Sequence, residues 1–338
     1  MKNTRKLMLT LLIVALGSLT TLGHGGDFSV FVETTESAAS FDTVTAALDA
    51  GIATSDFELL GSWDAVSPKE GATYRSHVYV LDDPAYTAEV GKFEGPHAPA
   101  ALLRVNVYEF GRQKTVRVNF VDPETMARVY LFEHGVDEAS FHALIDQAAG
   151  VSTALETLIT NSVEGNTLTL NSGPIRAESD LLPYVGDGDA QVMVNFADYA
   201  ADYDQGLVKT FNSFEAATQY AQDHIANNSE NWELVATLDV GQARLYGLTK
   251  GAVESISATI VGDALGASAD NPVPGINHNA AYPIGVLVYP DGGQFKLAYP
   301  AQMWRMMLYY WDAGIGAFVQ YQTLPGDFDA SLLAMLGG

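Results

Sequence analysis

The chain has 338 residues, no Cys, and 41 Asp and Glu against 17 Lys and Arg, for a formal net charge of −24 at pH 7. A field of that sign repels phosphate backbones and anionic lipid headgroups, so nucleic acid and membrane surfaces are poor partners. The absence of Cys removes disulfides and a lipoprotein anchor, so cores built from the 48% apolar residues must hold the fold.

Residues 1–25 carry Lys2, Arg5 and Lys6, then an apolar run from Leu7 to about Leu16, then small residues; the first acidic residue is Asp27. That is the layout of a secretory signal, with cleavage expected near Gly23 or Gly25 and an exported, periplasmic or extracellular product. The run falls short of the roughly 20 residues that span a bilayer, and no later run approaches that length, so no stable membrane anchor is expected.

A first domain is expected over 26–136. Phe28 to Thr34 reads as a strand, and Ser40 can cap a helix whose apolar positions Phe41, Val44, Leu48 and Ile52 fall at helical spacing. Strands follow at about 57–65 and 76–82. The stretch 83–100, rich in Pro, Gly and Ala, reads as a long loop. Alternating strands at about 102–110 and 114–121 come next, and Pro123 opens a helix that Gly135 can end. Residues 137–205 form an insert: helical spacing to Leu158, short strands at Thr167 to Leu170 and Gln191 to Phe196, and a turn at Asp187-Gly188-Asp189 that lacks the later ligands of a calcium loop.

A second domain, 206–316, runs in the order of the first: strand 206–211, helix 214–226, strands 232–239 and 243–249, a long loop to about 283, a hairpin turning at Asp291-Gly292-Gly293, and a helix 301–312. That helix, MWRMMLYYWD from Met303 to Asp312, is apolar almost all round and reads as core. A C-terminal strand and short helix are expected over 317–338.

The shared order extends to the residues. FELLGSWD (57–64) returns as WELVATLD (232–239), and Ser40-Phe41-Asp42 as Ser213-Phe214-Glu215. VNVYEFGRQKTVRVNF (105–120) is answered by VLVYPDGGQFKLAY (286–299), and Met126-Ala127-Arg128 by Met303-Trp304-Arg305. The chain therefore reads as a duplication of one unit. The expected fold class is α+β: two β-α-β-β-β-β-α repeats, each an antiparallel sheet with helices on one face.

The Ser-Phe-led helix, the Pro/Gly-rich loop and the strand pair V-x-V-Y…V-x-V-x-[FY] followed by Pro and a helix resemble the bacterial family called domain of unknown function 302. The resemblance covers about 28–135 and 206–314. It implies a TATA-box-binding-protein-like fold, a curved antiparallel sheet with two helices on its convex side. The first repeat lacks the Asn-Pro-rich loop associated with the family, and the second keeps only Asn271-Pro272. The family brings no assigned activity and no catalytic residue.

The chain has no G-x-S-x-G, HExxH, phosphate-binding Gly loop or dinucleotide fingerprint, which lowers the expectation of an enzyme and leaves any cofactor unknown. Two constellations carry chemistry. His97 precedes Tyr108 by eleven residues and His278 precedes Tyr289 by eleven, so both imidazoles stand at equivalent loop positions, where they could share a cleft and a metal. The plainer reading is two strand-capping or solvated His. Alternation also puts Arg104, Asn106 and Tyr108, with Thr115, Arg117 and Asn119, on the sheet face away from the helices. Arg104 and Arg117, with Tyr108, Tyr289 and the smaller Gly285 and Leu287 of the second repeat, could cradle an organic anion; the plainer reading is a solvated face. His134, Glu138 and His142 are spaced by four, but Gly135 argues against one continuous helix there.

The expectation is a binding protein holding a small ligand or metal near the repeat interface. The rivals are a hydrolase or isomerase with a loop His as general base, and a protein-interaction module whose open sheet another chain covers.

Overall fold

The computed structural model describes residues 28–66, 73–93, 95–131, 138–176, 206–268 and 270–338. The N-terminal stretch 1–25, the Asp187-Gly188-Asp189 turn, the strand at Gln191–Phe196 and His134 lie outside them.

In the first half, β1 (Phe28–Ser37) leads into α1 (Phe41–Ile52), whose Ser40 side chain accepts from the Thr43 N–H and satisfies one free amide of the first turn. The helix buries Phe41, Val44, Leu48 and Ile52, the four apolar positions that its spacing picks out. The strands β2 (Glu58–Asp64) and β3 (Ser76–Asp82) follow, then a short helix α2 (Pro84–Val90) and a 3-10 turn (Ala98–Ala101). The segment 83–100 is thus helical at both ends. Pro84 fits the first turn because it has no N–H to leave unsatisfied, and Asp83 caps the helix through the Ala85 and Tyr86 amides. The strands β4 (Leu103–Phe110) and β5 (Thr115–Val121) and the helix α3 (Pro123–Tyr130) complete this half. Next come the 25-residue helix α4 (Glu138–Ser162) and β6 (Asn166–Arg176), which pairs antiparallel with β1.

The second half has β7 (Leu207–Phe211), α5 (Phe214–Ala226, capped by Ser213), β8 (Glu233–Val240) and β9 (Ala243–Thr249). The expected loop to 283 instead holds α6 (Gly251–Leu265) and a 3-10 turn (Ile276–Ala281). The hairpin β10 (Ile284–Asp291) and β11 (Gln294–Ala298) leads to α7 (Gln302–Tyr310). The C-terminal segment is helical, as α8 (Gly314–Gln320) and α9 (Leu324–Met335), where a strand and a short helix were expected.

There are two antiparallel sheets among the described residues, ordered β2-β3-β4-β5-β1-β6 and β7-β11-β10-β9-β8. In the first, Val105, Val107, Val116, Val118 and Phe120 enter the core shared with α1, α3 and α4. The opposite face is not open to solvent. The 3-10 turn Ile276–Ala281 lies across β3, β4 and β5, and Arg104, Asn106, Tyr108 and Asn119 are all buried under it. The second half receives the reciprocal contact, because the turn Ala98–Ala101 lies against β8 and β9. Leu238, Leu245, Leu287 and Tyr289 of the second sheet join the core of the first half, so one apolar cluster runs across the boundary.

The halves also meet at strand edges. A Cβ on Gly61 of β2 would sit 1.8 Å from the Val235 carbonyl oxygen of β8, so only glycine allows that approach. At the end of β2 a buried carboxylate clasps the two halves together. Glu254 of α6 accepts from the Trp63 indole N–H at 2.7 Å and from the Val66 amide at 2.9 Å, and the Thr249 hydroxyl donates to it as well. Glu254→Ala removes the acceptor and strands two donors from the other half. The expected loss is about 3 kcal/mol of unfolding free energy, since hydrogen bonds to charged groups contribute roughly 1.5–3 kcal/mol each. Urea unfolding followed at the Trp63 region reads it, and an unchanged midpoint would show that the clasp carries no stability.

Candidate functional site

The site lies where the two reciprocal turns come together. Arg104 comes from β4 of the first half, and Arg305 from α7 of the second. Each arginine is only 3% exposed. Both donate to one carbonyl, that of Ala281 at the end of the turn Ile276–Ala281: Arg104 Nη1 at 3.3 Å and Arg305 Nη2 at 2.6 Å. Arg104 Nη2 also donates to the Tyr309 hydroxyl at 2.8 Å, and that hydroxyl lies 3.3 Å from the hydroxyl of Tyr130. Aromatic faces support the cations: the Arg305 Cζ is 4.3 Å from the Tyr282 ring centroid and the Arg104 Cζ is 5.1 Å from that of Tyr309.

Among the described residues neither guanidinium meets a carboxylate, and Arg104 Nε and Arg305 Nη1 are buried donors with no acceptor. Two positive charges removed from water against one shared carbonyl and neutral tyrosine hydroxyls are an expensive arrangement, because a buried charge needs a counter-charge or full hydrogen bonding. A crevice runs alongside them, enclosing about 320 Å³ of empty space, part of it open to solvent and most of it too narrow for a water. Both arginines line it, with Tyr130 and Tyr309. Its remaining walls are Pro99, Leu102, Pro283, Pro300 and Gly285. The first half supplies Arg104, Tyr130, Pro99 and Leu102; the second supplies the rest. The site therefore exists only when the halves are docked.

The residues singled out in the sequence divide. Arg104 is in the crevice. Arg117 is not: it donates through Nε to Glu36 at 2.7 Å, stacks on Phe110, and is neutralised there. Tyr108 lies under the turn Ile276–Ala281, its hydroxyl 2.7 Å from both oxygens of the buried Glu33; burial, then the Glu33 charge, holds the phenol well above its ordinary range. Tyr289 is buried in the cluster that joins the halves. The His97 imidazole is buried just ahead of the turn Ala98–Ala101, its Nδ1 2.7 Å from the Tyr130 carbonyl. His278, in the other turn, sits with Nδ1 2.9 Å from Asn277 Oδ1 and Nε2 2.9 Å from Asp312 Oδ2, stacked on Tyr310. Among the described residues no three His, Asp or Glu side chains gather in a way that could hold a metal ion.

Arg305 is the crevice side chain missed in the sequence. Its signal was there: a lone Arg on an almost wholly apolar helix must be buried with it, and buried arginines are rare unless paired.

No family model matches the chain, and no curated protein matches it. Among solved structures, the chain is similar to the crystal structure of the uncharacterized conserved protein DUF302 from Bacillus stearothermophilus, with 14% identity, a TM-score of 0.31, and 38% of this chain and 96% of that chain covered.

Proposed function

We propose that this protein binds a small anion in the crevice between its halves, on Arg104 and Arg305. The observation that carries the reading is the pair of buried guanidiniums facing no carboxylate among the described residues, beside a crevice. A bound anion would supply the missing counter-charge and accept from the donors left over. A metal is disfavoured at this place by the two positive charges.

The same proposal includes the finer reading of the chain as a duplicated unit of the domain-of-unknown-function-302 kind, exported by its N-terminal segment. What supports duplication is that both halves run strand, helix, two strands, helix, two strands, helix, and that each sheet takes its own strands in the order 2-3-4-5-1. The layout of 1–25 supports export. The general-base reading retains one observation, the His278–Asp312 contact. It ranks behind because the other ring nitrogen already faces Asn277 and the imidazole is 1% exposed.

Thermal unfolding in the presence of chloride, acetate or inorganic phosphate at constant ionic strength tests the reading. A ligand that binds only the folded state adds about 2.7 kcal/mol at a hundred times its Kd. The expected result is a saturable rise in Tm with at least one anion, lost in Arg305→Met. An equal response in wild type and variant, or none with any anion, would overturn it.

A further inference from the structure

We propose that the anion is a single monoatomic ion, chloride or bromide, and that it acts as a tie between the two halves. This rests on reading the crevice as an anion site.

Size is the first argument. The space beside the two arginines has room for about one water. A chloride ion is close to a water in size, whereas acetate and phosphate each bring several bonded non-hydrogen atoms. Pro99, Pro283 and Pro300 form much of the wall, and their rings have little freedom to make way. A packed interior of this kind resists added atoms.

The polar groups decide between an ion and a water. Arg104 Nε and Arg305 Nη1 are buried donors with no acceptor. The Ala281 carbonyl already receives a bond from each arginine. A water would bring hydrogens of its own to place, and the side chains of Pro99, Leu102, Pro283 and Pro300 offer them no acceptor. A halide only accepts, and it does so from any direction. It also brings the negative charge that the arginines do not find among the described residues, where their partners are a carbonyl and a tyrosine hydroxyl. An oxyanion would leave oxygens facing prolines, and a buried oxygen without a donor is strongly disfavoured. The net charge of −24 opposes every anion, and a single charge is opposed least.

The tie follows from where the donors stand. Arg104 belongs to β4 of the first half and Arg305 to α7 of the second. Their shared acceptor, Ala281, closes the turn Ile276–Ala281 that covers the first sheet. An ion held by both arginines binds only when the halves are docked, so its binding stabilises the docked state.

The test starts from the whole protein dialysed free of halide into sodium gluconate, an anion too bulky for the crevice. Chloride, bromide, acetate and inorganic phosphate are then the probes, at constant ionic strength, in calorimetric titration, thermal unfolding and chloride NMR linewidth. Chloride and bromide should bind saturably, raise Tm and compete for one site, and bound chloride should broaden its resonance. Acetate and phosphate should bind at least about tenfold weaker, the usual penalty for forcing extra atoms into a packed space. Arg104→Met and Arg305→Met should each lose at least about tenfold in chloride affinity, since each removes a charged donor. Arg117→Met, whose guanidinium pairs with Glu36 outside the crevice, should bind chloride as wild type does; a loss there equal to that of Arg305→Met would overturn the placement. If acetate or phosphate binds as tightly as chloride and Arg305→Met abolishes it, the monoatomic assignment is wrong and the anion site stands. If Arg104→Met keeps wild-type chloride affinity while Arg305→Met loses it, one half holds the ion and the tie is wrong. If no probe binds, or Arg305→Met binds every one as wild type does, the anion site falls and this inference with it.

Discussion

Arg305→Met should make the ligand-free protein more stable by about 1–3 kcal/mol while removing anion binding, because replacing a buried ionic group by an apolar one of similar volume is often stabilising by that much. The sign is the point. An arginine that served only as a strut would show the reverse: losing the 2.6 Å bond to Ala281 would destabilise by about 1 kcal/mol, the ordinary net value of such a bond. Here the Ala281 carbonyl keeps a second donor, Arg104 Nη1, so the variant strands no acceptor. Methionine also suits the neighbourhood of Pro283, Pro300 and Tyr309. Arg117→Met is the internal control. That guanidinium is paired with Glu36 and its side chain is 20% exposed, so its loss should lower stability by at most about 1 kcal/mol. Urea midpoints at unchanged slope measure both. A destabilised Arg305→Met would mean that the unliganded protein already neutralises this cation.

Local order in this chain was legible, and long-range cover was not. Helical spacing picks out the four residues that α1 buries, and period-two alternation correctly separates Val105 and Val107 from Arg104 and Asn106. Alternation says which side chains share a face. It cannot say what lies on that face, because the cover comes from residues about 170 positions later: Asn106 donates to the Ile276 carbonyl and Asn119 to that of Asn277. A face expected to be solvated, or covered by another chain, is thus filled by the protein's own second half. The two Pro/Gly-rich stretches misled for a related reason. Pro84 marks a helix start as well as a loop, and only the Asp83 cap in front of it separates the two readings. Half of the arginine pair was visible through Arg104. The other half lay in a helix read only as core, where an apolar majority hid the one residue that core packing does not explain.

The stability gap between Glu33→Gln and wild type should widen as pH rises. Glu33 is 3% exposed under the covering turn, where the Tyr108 hydroxyl, Asn119 Nδ2 and Ser172 hydroxyl all donate to it. Burial pushes its carboxyl above the ordinary value of 4.5; those hydrogen bonds and the charge of Arg117 only partly offset that. The folded state therefore holds this proton to higher pH than the unfolded chain does. Below the unfolded value both states are protonated and Glu33 adds no pH dependence. As pH rises from there through the folded value, the unfolded chain releases the proton first and wild-type stability falls, by up to about 1.4 kcal/mol per pH unit from this group. Glutamine does not titrate, keeps a carbonyl oxygen for the donors, and offers Tyr108 an N–H in place of the second oxygen. The variant should track wild type near pH 4.5 and exceed it increasingly above that, until pH passes the folded value, as read from urea unfolding of both proteins across neutral and acid pH. Asn119 donates both to Glu33 and to the Asn277 carbonyl, and Asn277 belongs to the turn whose last carbonyl receives both crevice arginines. The turn thus joins a costly buried carboxylate at one end to two costly buried cations at the other. A gap that stays constant with pH would mean that Glu33 keeps one protonation state throughout.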